Sequence, residues 1–204
     1  MATPSRLELG DLARIAIFAA LIAVLGLVSI GGGVPITGQT LGVMLAGAVL
    51  GPWRGLASVA TLLTLVAVGL PLLAGGRGGL GVFVGPSAGY LAGWLVGVVV
   101  IGYIVRAGAA RPNWWRTLLG SIVGGILVIY AFGVPVQALV MGLSLGEAAV
   151  GSLVFLPGDL IKVVLTTVIV LALWKAYPRA FRWNTTASSG RTPDPVTTGS
   201  ASGS

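Results

Sequence analysis

The chain contains no cysteine and no histidine. Disulfides, thiolate chemistry, imidazole proton relays and histidine-ligated metal sites are thereby excluded. Acidic side chains are nearly as scarce, with five Asp and Glu against twelve Lys and Arg in 204 residues. Away from the chain ends the acids are Glu147 and Asp159. So few carboxylates offer no convincing acid–base pair and no metal cluster, so an enzyme is not expected and no cofactor or metal is called for. No Walker A pattern occurs, which removes ATP hydrolysis by that route.

What is present is apolar. Hydrophobic residues make up 56% of the chain and charged ones 8%, with a mean hydropathy of +1.02. A soluble globular surface needs roughly a quarter of its residues charged, so the expectation is an all-α integral membrane protein in a lipid bilayer. The net charge of +7 does not imply nucleic acid, because the basic residues are scattered at the ends of apolar runs. Six transmembrane helices starting from a cytoplasmic N-terminus explain them better. Ten of the twelve, from Arg6 to Arg191, then fall inside; Arg77 lies in an outer loop and Lys162 at the outer end of a helix. That is a strong positive-inside asymmetry.

The expected spans are 12–30, 39–50, 55–70, 87–105, 114–132 and 159–175, within one polytopic domain covering residues 1–183. The first run is long enough to span and shows no small-residue cleavage site, so it is read as a helix rather than a removable signal. The second is only about 12 residues, roughly 18 Å of helix against a hydrocarbon core of about 30 Å. It must be tucked inside the bundle or completed by a neighbouring segment, 34–37, that lines a cavity. The fourth carries Gly89, Gly93 and Gly97 at every fourth position, a smooth stripe for close helix approach. Residues 133–156 are read as lying outside, with Ser144-Leu145-Gly146-Glu147 as a capping box that opens a short helix. The Ser/Thr/Gly/Pro-rich stretch 184–204 is expected to be a disordered cytoplasmic tail.

The most conspicuous polar residues are in Pro157-Gly158-Asp159-Leu160-Ile161-Lys162, at the start of the sixth span. Ionisable groups in a membrane helix cost about 2.5–3.5 kcal/mol each and mark substrate or ion sites. Asp159 also suits a helix N-cap. Lys162 does not suit the positive end of a helix dipole without a carboxylate or ligand beside it, unless it snorkels to the interface. Gln39 and Tyr90 are buried polar groups that need partners, interhelical or ligand. Gly76-Arg77-Gly78-Gly79-Leu80-Gly81 matches a dinucleotide fingerprint in letters only, lacking the strand–turn–helix setting; it reads as a connector or as a lid over an outer pocket. Ala16 and Ala20, extended by Ala23, give the first span a small-residue face for bundle packing or for docking another membrane protein.

Four segments occur in order: Val34-Pro35-Ile36-Thr37-Gly38-Gln39-Thr40-Leu41, Gly75-Gly76-Arg77-Gly78-Gly79-Leu80-Gly81, Gly85-Pro86-Ser87-Ala88-Gly89-Tyr90 and Leu156-Pro157-Gly158-Asp159-Leu160-Ile161-Lys162. Together they resemble the BioY family, the biotin-specific S components of energy-coupling factor (ECF) transporters, over about residues 12–177. Two departures are small: Ser87-Ala88 stands where Thr-Gly is common, and Gly38 replaces a larger residue. The resemblance implies a six-helix S-component fold in a prokaryotic cell membrane that captures biotin from outside. It implies partners as well: a transmembrane coupling protein and two ABC-type ATPase subunits, which alone use ATP. Asp159 and Lys162 would contribute to the substrate pocket, with the loop before the fourth helix (Arg77, Gly81, Ser87), Tyr90 and Gln39. The face of Ala16, Ala20 and Ala23 would dock on the coupling protein.

Overall fold

The computed structural model describes residues 9–27, 29–30, 34, 36–109 and 111–181. The expected tail, 184–204, lies outside the described residues.

Eight α-helices are present among them: α1 (Leu9–Leu25), α2 (Gln39–Leu50), α3 (Pro52–Ala67), α4 (Ala88–Arg106), α5 (Trp114–Ile122), α6 (Ile129–Met141), α7 (Leu145–Ser152) and α8 (Leu156–Ala176). A π-helical stretch, Val123–Val128, joins α5 to α6, and the resulting rod, Trp114–Met141, is one of three helical segments among the described residues long and apolar enough to cross a membrane. The others are Ala88–Arg106 and Leu145–Ala176. Two-residue strands β1 (Ser29–Ile30) and β2 (Ile36–Thr37) pair antiparallel between α1 and α2.

Three boundaries differ from the sequence expectation. The first helix ends at Leu25, not near residue 30, because the chain turns at Gly26 to make room for Gln39. A Cβ on Gly26 would sit 2.9 Å from the Gln39 side chain. The fifth helix does not stop near 132 but runs on to Met141 through Pro135. Gly133, which looks like a helix stop, is there for packing: the Tyr90 ring occupies the space a Cβ would need. The sixth span starts at Leu156, so Pro157 and Gly158 are inside its first turn and Asp159 is not an N-cap. Proline is tolerated there because first-turn N–H groups lack intrahelical acceptors. The capping box holds, with Glu147 N donating to Ser144 Oγ and Ser144 N donating to Glu147 Oε2.

Helix α4 is the central pillar. Its glycine stripe meets α6 and the π-helical stretch directly: the Cβ positions of Gly93 and Gly97 are filled by backbone of Ile129 and Gly124. In lipid no hydrophobic effect drives helices together, so such close backbone packing, with interhelical hydrogen bonds, supplies the cohesion. Helix α2 is buried nearly all round, 39 and 42–50 included, which resolves its short length: it is shielded by its neighbours. Ile22, Val43, Leu62 and Val98 from α1 to α4 form one core cluster, and Met44, Ile101, Val163 and Val170 belong to a second that reaches α8.

At the end of the bundle where α2, α4 and α8 finish, Asp11 is buried and joins Arg14 at 3.3 Å and Arg54 at 3.1 Å. Sequence position near the chain end hid this acid, although an Asp three residues before an Arg on one helix is a pairing signal. Asp11→Ala strands two cations whose side chains are about a quarter exposed. The expected loss is about 2 kcal/mol, below that of a fully buried pair, and shows as a lower melting temperature in detergent.

Candidate functional site

The first two turns of α8 place Asp159 and Lys162 on one side, three residues apart, facing the start of α2. Lys162 Nζ lies 2.9 Å from Asp159 Oδ1 and donates to Thr40 Oγ1, also at 2.9 Å. The Thr40 hydroxyl completes a triangle by donating to Asp159 Oδ1 at 3.4 Å. From α6, Tyr130 Oη donates to Asp159 Oδ2 at 2.7 Å. Asp159 is 4% exposed, and its carboxylate accepts from three side chains on three helices. Buried charge of this kind persists only when paired and hydrogen-bonded. Lys162 uses two of its three N–H donors within this cluster.

This cluster forms one wall of a cavity with about 620 Å³ of atom-free space, its mouth included. Tyr90, Trp94, Tyr130 and Phe155 supply aromatic wall, and Val34 and Thr37 close the side next to α2. Tyr90 stands edge-on to Tyr130 and Phe155, with ring centroids 6.1 and 6.4 Å away. Its hydroxyl is committed elsewhere, donating to Gln137 Oε1 at 2.7 Å and lying 2.9 Å from Ser152 Oγ. Trp94 is 4% exposed, and its Nε1 has no hydrogen-bond acceptor among the described residues. An indole N–H without a partner beside a cavity is a donor waiting for an acceptor.

The loop over the cavity is folded. Gln39 clasps it, with Nε2 donating to Leu72 O at 3.1 Å and Oε1 accepting from Ala74 N at 3.3 Å. Gly75 and Gly76 then turn the chain with φ of +71° and +70°, a region that side chains disfavour. The turn brings Leu73 and Arg77 into bridge pairing, and Arg77 Nε donates to Ala74 O at 3.1 Å.

The structure thus gathers Asp159, Lys162, Tyr90, Gln39, Arg77 and Ser87 around one cavity. Gly81 is exposed and does not line it. The sequence reading missed Thr40, Tyr130, Trp94 and Phe155 as individual contacts. Trp94 stands one turn beyond Tyr90, and Tyr130 is a polar residue within an apolar span; both were legible signals. On α1, Ala16 and Ala20 are exposed, whereas Ala23 is half-buried and packs on the core. The exposed face continues through Val24 instead, four residues after Ala20.

A membrane-type helical bundle with one mostly apolar, aromatic-walled cavity and a buried cation–carboxylate pair defines a small-molecule-binding membrane protein. Residues 1–179 match the BioY family. The chain is 46% identical over 177 residues to the biotin transporter BioY of Rhizobium etli, covering 82% of this chain and 95% of that protein. It is 47% identical over 178 residues to the biotin transporter BioY of Rhodobacter capsulatus, covering 81% and 94%. A crystal structure of the S-component for biotin from an ECF-type ABC transporter superposes with a TM-score of 0.78 at 36% identity, covering 85% of this chain and 95% of the other. The chain belongs to the BioY family.

Proposed function

We propose that this protein is the biotin-binding membrane subunit of an ECF transporter, without an ATPase site of its own. It takes biotin at the outer face of a prokaryotic cell membrane and delivers it inward when a separate module, a coupling protein with two ABC-type ATPases, supplies the energy. The observation that carries this reading is the Asp159–Lys162–Thr40–Tyr130 cluster on the wall of an otherwise apolar cavity. Biotin has two ureido N–H donors, one ureido carbonyl, an apolar thioether ring and a carboxylate tail. An ionised Asp159 only accepts and suits the ureido N–H groups; Lys162 only donates and suits the ureido carbonyl or the carboxylate. Trp94 Nε1 offers a further donor to a ligand oxygen or sulfur, and the aromatic rings cover the thioether ring.

In this reading the cavity end is outer and the end carrying Arg14, Arg54, Arg106 and Lys175 is cytoplasmic, as are both termini. Residues 1–183 form one six-span domain, with Leu145–Ser152 as a rim over the outer mouth. Ala16 and Ala20 dock on the coupling protein.

Competition for bound radiolabelled biotin tests the proposal. Unlabelled biotin displaces the label, and thiamine or riboflavin does not; displacement by those vitamins and not by biotin overturns the assignment. Biotin amide locates Lys162: if the carboxylate is its partner, the amide binds wild type and Lys162→Ala equally. Trp94→Phe removes one donor and leaves the ring. Biotin affinity is expected to fall about tenfold, a typical worth for one buried hydrogen bond, with the melting temperature of the free protein unchanged or raised. Unchanged affinity would show that the indole N–H does not meet the ligand.

A further inference from the structure

At the end of the bundle away from the cavity, a second cleft opens between the loop before α5, the first turn of α5 and the last turn of α8. Its cations are Arg111, Arg116 and Lys175, and three indoles, Trp114, Trp115 and Trp174, stand among them. Among the described residues no carboxylate lines the cleft, and none of the three cations forms an ion pair. Like charges gathered without a counter-charge repel one another, and an anion between them reverses the sign of that energy.

Arg116 is held for such a task. Its guanidinium carbon lies 5.0 Å from the centroid of the Trp115 ring, and its Nη1 is buried without a hydrogen-bond acceptor among the described residues. An unmet donor on a charged group is costly, and the guanidinium fork matches phosphate oxygens two at a time. Asn113, at the start of α5, lines the same cleft and makes no side-chain cap. Trp114 and Trp115 are 60% and 43% exposed, as indoles at a membrane–water interface are.

The cleft also continues into an apolar track. Ile161, Val164 and Val168 are exposed on α8, and Leu171 and Lys175 line the cleft. Their spacing of three and four residues puts all five on one helix face, with the cation at its foot. A free inorganic anion has no use for such a track, whereas an acyl chain fills it.

We propose that this cleft binds the phosphate headgroup of an anionic phospholipid, with an acyl chain along the α8 face. The proposal is independent of the biotin reading. The test is native mass spectrometry of the full chain in an uncharged detergent, titrated with phosphatidylglycerol or phosphatidylcholine. Wild type is expected to retain one phosphatidylglycerol far more strongly than phosphatidylcholine. Arg116→Gln weakens it on the order of fivefold, and the triple variant Arg111→Gln/Arg116→Gln/Lys175→Gln roughly a hundredfold. Arg179→Gln, the same charge change nearby, leaves it unaltered. If the triple variant does not fold, as judged by its melting curve, the single Arg116→Gln variant decides. Equal retention of the two lipids, or no effect of Arg116→Gln, overturns the proposal. Displacement by millimolar inorganic phosphate overturns it in favour of a free anion. Loss of coupling-protein association with lipid retention intact overturns it in favour of a protein-docking surface.

Discussion

Asp159→Asn is expected to abolish measurable biotin binding and also to lower the stability of the free protein. The carboxylate accepts from Lys162, Thr40 and Tyr130 while almost wholly buried. Removing its charge leaves the Lys162 ammonium in a low-dielectric site with no counter-ion. Breaking a buried pair from one side costs about 3–5 kcal/mol, and losing a charged acceptor costs a ligand about 2–5 kcal/mol, a factor of roughly thirty to several thousand. The two losses separate in the double variant. Asp159→Asn/Lys162→Met removes both charges, so thermal stability should return toward wild type while biotin binding stays absent. Lys162→Met alone should be milder for folding, because Asp159 keeps two donors. A double variant that binds biotin would show the pair to be purely architectural.

Gly97→Leu is expected to prevent folding altogether. The place of a Cβ on Gly97 is occupied by the Gly124 carbonyl oxygen, and a Cβ on Gly124 would in turn sit 2.6 Å from Gly97 O. Two backbones in contact have nothing to repack, unlike a glycine facing a flexible side chain. Gly97→Ala is already overpacked and should cost about 1–3 kcal/mol. Gly146→Ala gives the contrast: nothing lies within 4 Å of its Cβ position, and in α7 alanine is worth up to about 1 kcal/mol over glycine. Size-exclusion profiles and melting curves in detergent distinguish these cases. A monodisperse Gly97→Leu protein with wild-type melting would contradict the close packing of α4 on the rod formed by α5 and α6.

These two sites show why some features were legible in the chain and others were not. Asp159 and Lys162 stood out because opposite charges one turn apart are rare in apolar sequence, and the glycine stripe because its period is that of a helix face. The shortness of α2 left two readings open, enclosure in the bundle or a cavity-lining segment 34–37; α2 is enclosed, and Val34 and Thr37 line the cavity beside it. Local stop signals misled where tertiary contacts override them. Gly133 and Pro135 look like the end of a helix, but the glycine accommodates the Tyr90 ring and the proline is accepted within α6. Pro157 and Gly158 look like punctuation before a helix, yet they form its first turn. Ala23 shares the small-residue pattern of Ala16 and Ala20, but its placement at three rather than four residues beyond Ala20 turns it toward the core. The donor of Trp94 was invisible for another reason. That its N–H lacks an acceptor among the described residues is a property of its neighbours on other elements, which no one-dimensional pattern contains.

The cavity beside Asp159 and Lys162 is proposed to hold biotin. Calorimetric titration of the detergent-purified chain alone, with biotin, tests it most directly when Asp159→Asn/Lys162→Met is titrated beside it. Tight one-to-one binding by the wild type is expected, and none by a double variant that melts like a folded protein. A folded wild type that releases no heat with biotin at any temperature tried, or a double variant that binds as well as wild type, would contradict it.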